Sequence, residues 1–268
     1  YYGDRAQKTL LTVPGQFGLI RSDSASVLGI VSETYQVVQP REVLEFFRDL
    51  VGGAGMQLHT AGTLFGGQRY WALAKLGEAT IAGWDKVGGF LLLSTSADGS
   101  SATEVRETSV RVVCNNTLSL ARASAGNTLR ISHRQSFNAE RVKAALGLSP
   151  EKFATFMDTA DRLTRIRLSA AAAEAFVGRL LAPETGAEEA QRRPKGMDTI
   201  MALFGGAGRG SDQPGSAGTA WGLVNAVTEY VDHYSTAKTP SHALAKSLFG
   251  TGDALKSTAL AEAVADYL

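Results

Sequence analysis

Three residues near the end of the chain have types and spacing suited to hydrolytic chemistry. The segment EYVDH places Glu229 and His233 four residues apart, with Asp232 between them. On an α-helix that spacing stacks Glu229 and His233 on one face, one turn apart. Such groups could hold a metal ion or activate a water, as a metal-dependent nuclease or hydrolase requires, with His133 as a further ligand. No third ligand follows in a readable motif, so a structural polar network or a helix cap fits the same residues. No metal or other cofactor is expected on this reading.

A second group of residues suits phosphate binding. Between positions 105 and 143 there are seven cations (Arg106, Arg111, Arg122, Arg130, Arg134, Arg141, Lys143) and two acids (Glu107, Glu140). The whole chain carries 27 Lys+Arg against 26 Asp+Glu, a net +1, so this span at +5 leaves −4 for the rest. His133, Ser132 and Gln135 add neutral donors in the same span. Phosphate contacts of this kind fix a nucleic acid without reading its sequence. Arg106 and Arg111 are five apart, so on an unbroken strand they face opposite ways and cannot both line one groove. Ordinary solvated surface accounts for such a run equally well.

Stacking groups are fewer. Arg69, Tyr70 and Trp71 are consecutive, and on a strand Tyr70 and Trp71 point to opposite faces, so one joins the core while the other is available to a base. Cys114 ends an apolar strand and reads as a buried structural thiol. Asn115 and Asn116 read as caps for a helix expected just after them. Neither Gly52–Gly53 nor Gly66–Gly67 has the spacing of a nucleotide-binding turn, and GGAGRG at 205–210 follows no strong strand.

These residues need elements to position them. A strand is expected at 27–32. Pro40 opens a helix whose apolar period, Val43, Leu44, Phe46, Phe47, Leu50 and Val51, ends at Gly52–Gly53. Two apolar runs around Gly66–Gly67 predict a hairpin, and further strands are expected at 88–94, 102–115 and 129–133. Segment 1–26 reads as turn-rich, and 116–126 as a helix. Helices follow at 138–146, from 149 to about 168 with Ser149 and Pro150 at its start, at 169–181, in TAWGLVNAVTEYVDHYS, and twice more before the end. The glycine-, proline- and charge-rich stretch 182–218 reads as a flexible loop. The expected class is α+β: an antiparallel β-meander packed on helices over 1–148, with a helical part at 149–268 packed on it.

The chain's 268 residues are 44% hydrophobic and 20% charged, enough for a core without disulfides or metals. One cysteine excludes an internal disulfide and zinc sites built on several thiolates, and fits a reducing, cytoplasmic setting. No run approaches the roughly 18 apolar residues of a membrane span.

Residues 27 to 234 resemble the phage- and plasmid-associated family filed as domain of unknown function 932. LGIVSETYQVVQPREVLEFFRDLV, AGTLFGGQRYWALAKL, ISHRQSFNAE and above all VRVVCNNTL and NAVTEYVDH carry that resemblance. It implies a bacterial mobile element and no settled activity. The order of helix, meander and crossing helix is similar to the core of ring-forming single-strand annealing proteins. That likeness implies a homo-oligomer, in some cases a ring, holding single-stranded DNA in a basic groove without metal or nucleotide. It places Arg106, Arg111, Arg122, Arg130 and Arg134 near the groove, with Tyr70 or Trp71 stacking on bases. Three functions therefore stand open: single-stranded DNA binding or annealing, a nuclease built on Glu229, Asp232 and His233, and a protein-interaction component of a defence or anti-defence system.

Overall fold

The computed structural model describes residues 13–54, 57–111, 116–119, 128–135, 138, 150–182 and 194–268. The chain opens with a two-stranded antiparallel ribbon, β1 (Gln16–Ile20) and β2 (Val27–Ser32), with Phe17 opposite Val31. The first of these strands lies inside the segment expected to be turns. Helix α1 (Pro40–Ala54) begins at its proline, and the Glu42 carboxylate accepts from the Gln39 amide at 2.7 Å, closing the first turn. Val43 and Phe46 of this helix are buried.

The main sheet is antiparallel and six-stranded. Strands β3 (Gln57–Leu64), β4 (Arg69–Ile81), β5 (Asp85–Ser96) and β6 (Thr103–Arg111) form a meander in sequence order. The short strands β7 (Asn116–Ser119) and β8 (Thr128–Ile131) share the outer edge of β6, β7 against 108–111 and β8 against 103–106. Residues 116–119 are therefore strand, not the helix expected there, so the backbone of Asn116 is a sheet member and not a cap. Cys114, Asn115, Arg122, Arg141 and Lys143 lie outside the described residues, as does nearly all of the helix expected at 138–146.

Alternation along β4 and β5 gives the sheet two apolar faces. Ala72 and Ala74 of β4, Leu91 and Leu93 of β5 and Val105 of β6 pack with Val38, Val43 and Phe46 at and before α1. Leu73, Phe90 and Leu92 point the other way, toward Trp71, Val110 and Phe249. Period-2 alternation explains both sets at once.

The second half adds α2 (Pro150–Thr164), α3 (Ala170–Leu180), α4 (Met197–Ala202), α5 (Ala220–Glu229), α6 (Pro240–Phe249) and α7 (Thr251–Tyr267). Ser169, Thr219 and Thr239 cap α3, α5 and α6, each accepting a backbone N–H with its hydroxyl. All ten residues of α5 are buried, and Trp221, Leu223, Val224 and Val227 anchor a core with Phe156, Leu163, Phe176, Ile200 and Leu260. Ile81 and Val87 carry that core onto the sheet. A helix buried on every side belongs at the centre, and its polar Asn225 and Thr228 bond back to its own carbonyls.

The stretch expected as a flexible loop over 182–218 holds α4 and a turn-rich segment whose Met197, Ile200, Leu203, Phe204 and Ser216 are buried; residues 183–193 lie outside the described set. Its backbone presses on α5. A Cβ built at Gly222 would meet the Ser216 carbonyl oxygen at 1.7 Å, so only glycine lets the helix and the loop approach this closely. Gly222→Ala is expected to cost about 3 kcal/mol or more, because the obstacle is backbone. Gly77→Ala, where nothing lies within 4 Å of the added carbon, should stay within about 0.5 kcal/mol. Urea denaturation of the two variants checks the contrast.

Candidate nucleic-acid interface

The arginines of β6 point into the protein. Arg106 is 6% exposed; its Nη1 donates to the Asp253 carboxylate of α7 at 2.7 Å, and its Nη2 to the Leu248 carbonyl. Arg111 is 4% exposed and lies on the opposite face, as the odd separation requires. Its Nε donates to Asp85 Oδ2 at 2.6 Å, and that oxygen also accepts from Trp221 Nε1 at 3.1 Å. Its Nη2 reaches Ser216 Oγ at 2.6 Å and the Gly210 carbonyl at 3.1 Å. The expectation that Arg106 and Arg111 touch phosphate is corrected: both join the sheet to the helical half through buried ion pairs.

The other sequence candidates divide between the two faces and the rim. Arg69 is half-buried, its guanidinium 4.5 Å from the centre of the Phe249 ring, and burial lowers its pKa. Trp71 shares that face; its indole covers Gly62, where an added Cβ would meet the ring at 3.0 Å. Arg69 and Trp71 therefore belong to the packing under α6. Arg130 is exposed and pairs with Glu104 at 2.9 Å, and Arg134 is exposed in the turn after β8.

His133 does a structural job. It is buried, its Nδ1 lies 2.9 Å from the Gln36 carbonyl, and its ring stacks on Tyr35 at 4.4 Å. The Tyr35 hydroxyl donates to the Ser96 carbonyl at 2.8 Å, so this pair ties the segment before α1 to the end of β5.

Of the hairpin trio, Tyr70 lines a groove, and Trp71 joins it in the hollow beside that groove. The groove, of about 420 Å³, lies between the ribbon and its turn (Leu19, Ile20, Arg21, Asp23, Leu28), the segment leading into α1 (Val37, Gln39, Pro40) and the hairpin (Thr63, Gly67, Tyr70). An apolar hollow of about 250 Å³ shares Pro40, Thr63 and Tyr70 and runs on past Val43, Leu44 and Ala61. Both volumes approach or fall within the size of small-ligand clefts. Arg21 sits on the rim, donating to the Gly66 carbonyl at 2.7 Å and to both oxygens of Asp23 at 2.9 and 2.6 Å. That fork pulls the Asp23 carboxyl down to about 2. Burial pushes the Tyr70 phenol above its ordinary value while Arg21 opposes the rise, so the ring stays neutral at physiological pH. Arg21 was missed in the sequence because RSDS reads only as a turn, and its partner carbonyl lies 45 residues away.

The carboxylate–histidine group does not assemble. Glu229 is 2% exposed and accepts the Arg209 amide at 3.0 and 3.2 Å. Asp232 turns to Lys256 at 2.7 Å and to the Ser247 hydroxyl, and His233 is exposed. Residues 230–234 form a π-helical turn, so the α-helical spacing expected for Glu229 and His233 does not continue through it. Among the described residues, no three His, Cys, Asp or Glu come together to hold a metal. Lys256 is fully buried; burial lowers its pKa and Asp232 opposes that shift. No helix among the described residues is long and apolar enough to cross a membrane.

The internal role of Arg111 has a measurable consequence. Arg111→Met leaves Asp85 buried without its cation and should cost about 3–5 kcal/mol. Arg111→Met combined with Asp85→Leu should recover much of that loss, and a double-mutant cycle by chemical denaturation reads the difference.

Against known proteins, residues 27–249 match the family described as domain of unknown function (DUF932). No curated protein sequence matches the chain, and no solved structure does. The match spans most of the chain, from β2 to the end of α6, and the chain belongs to the DUF932 family.

Proposed function

We propose that this chain binds single-stranded DNA without a chemical step, as a component of a phage, plasmid or genomic island. The strand passes through the groove beside Tyr70, and the β6 arginines play no part in holding it. The observation that carries the reading is the groove itself. An aromatic ring lines a cleft of the right size, and Arg21 stands on its rim beside Asp23. Rings and cations placed together in an open groove suit bases and phosphates of any sequence. Annealing of complementary strands extends the same binding to two strands.

Fluorescence anisotropy with a labelled single-stranded 30-mer tests this at 50 and 200 mM salt. Affinity should fall steeply with salt, with a slope near −0.7 for each phosphate neutralised. Tyr70→Leu keeps the bulk and removes the ring, and should weaken binding by about 1–3 kcal/mol. Absence of binding by the wild-type chain at low salt overturns the reading, and an equal affinity for single-stranded RNA would correct the choice of DNA.

The proposed protein works as a homo-oligomer, and the ribbon supports this. Phe17, Ile20, Val27 and Ile30 are 58–67% exposed on two short strands, more apolar surface than such a ribbon leaves to water without a partner. Ile30→Lys should lower the mass measured by sedimentation, while an unchanged mass would remove the ribbon from the contact between copies.

A further inference from the structure

Two buried charges converge on the backbone of one exposed residue. In the turn after α4, the Arg209 amide is held by both oxygens of Glu229, at 3.2 and 3.0 Å. The Arg209 carbonyl accepts from Arg111 Nη1 at 3.3 Å, and the next carbonyl, Gly210, from Arg111 Nη2 at 3.1 Å. Glu229 comes from the central helix and Arg111 from the sheet, and both are almost wholly buried. Glycine permits the grip: a Cβ at Gly208 would lie 3.1 Å from Glu229 Oε2, and Gly210 takes a φ of +70°. Burying two charges is costly unless each meets a partner, and here each is directed in part at the backbone of the same residue.

The Arg209 side chain, by contrast, is exposed and makes no hydrogen bond or ion pair among the described residues. The cavity beneath it, between Arg111 and Glu229, is about 20 Å³, room for one water and too small for a ligand. A ligand at this place therefore meets the displayed guanidinium and not the cavity. A guanidinium on a fixed backbone presents a planar fork, the geometry that suits phosphate oxygens.

We propose that Arg209 is a phosphate-contacting residue, displayed on a loop clamped by Arg111 and Glu229, and that it takes the backbone of the same single strand. This rests on the binding proposed above. The test compares wild type, Arg209→Ala, Arg209→Lys and Tyr70→Leu with the single-stranded 30-mer over a salt series. Arg209→Ala should bind roughly tenfold more weakly at 50 mM salt, with a salt slope smaller by about 0.7. Arg209→Lys should recover the slope but not the full affinity, and thermal unfolding of both variants should match wild type, since only an exposed side chain changes. An Arg209→Ala affinity and slope equal to wild type, with Tyr70→Leu weakened, overturns the role of Arg209 alone. A wild-type chain that binds no DNA overturns the groove reading and this one together.

Discussion

Buried charge governs how the two halves of this protein meet. Arg106 and Arg111 stand on opposite faces of β6, and each finds its carboxylate inside the fold, Asp253 from α7 and Asp85 from the start of β5. An arginine cannot be deprotonated to escape the interior, so each of these positions requires an anion at a set place. Asp85 then holds Trp221 of the central helix through the same oxygen, and Arg111 holds the turns at 209–216. The register of α5 and α7 on the sheet, and the path of the glycine-rich turns, follow from those two guanidinium groups. Lys256, Asp232 and Ser247 repeat the principle within the helical half.

This arrangement changes which cations can face a polyanion. The +5 of the span 105–143 looked like a surface track, but two of its arginines are internal and Arg130 is paired with Glu104. What stays outside is distributed differently: Arg21, forked to Asp23, at the Tyr70 groove, Arg134 in the turn after β8, and Arg209 on its clamped turn. The near-neutral total charge fits this picture, since binding by a ring in a groove with few phosphate contacts needs no large excess of cations.

Periodicity carried most of the fold. The α1 face, the hairpin around Gly66–Gly67, the strand at β6 and the helix at α5 were readable from the recurrence of their apolar and β-branched residues. The ribbon strand β1 was not, since its five residues leave Phe17 and Ile20 exposed and alternate against no core. Residues 116–119 became strand because β6 offers them an unpaired edge, a long-range opportunity that local propensity does not encode. The stretch 194–218 looked mobile by composition, yet its Gly208 lies close to Glu229, its Gly215 to Thr164, and its Ser216 presses on Gly222 of α5. At the site, Tyr70 and Trp71 were correctly assigned to opposite faces, but which one reaches the groove depends on where the ribbon and α6 pack. Arg106 and Arg111 were misread because their carboxylates lie 147 and 26 residues away.

The central claim is that the strand is held by the groove and the displayed turn while β6 remains an internal strut. Amide hydrogen exchange with and without a saturating single-stranded 30-mer tests this most directly. The account predicts slowed exchange across residues 16–39 and 205–213, with 103–111 unchanged. Slowing concentrated in 103–111 and 128–134, with the ribbon and the turn unaffected, would contradict it.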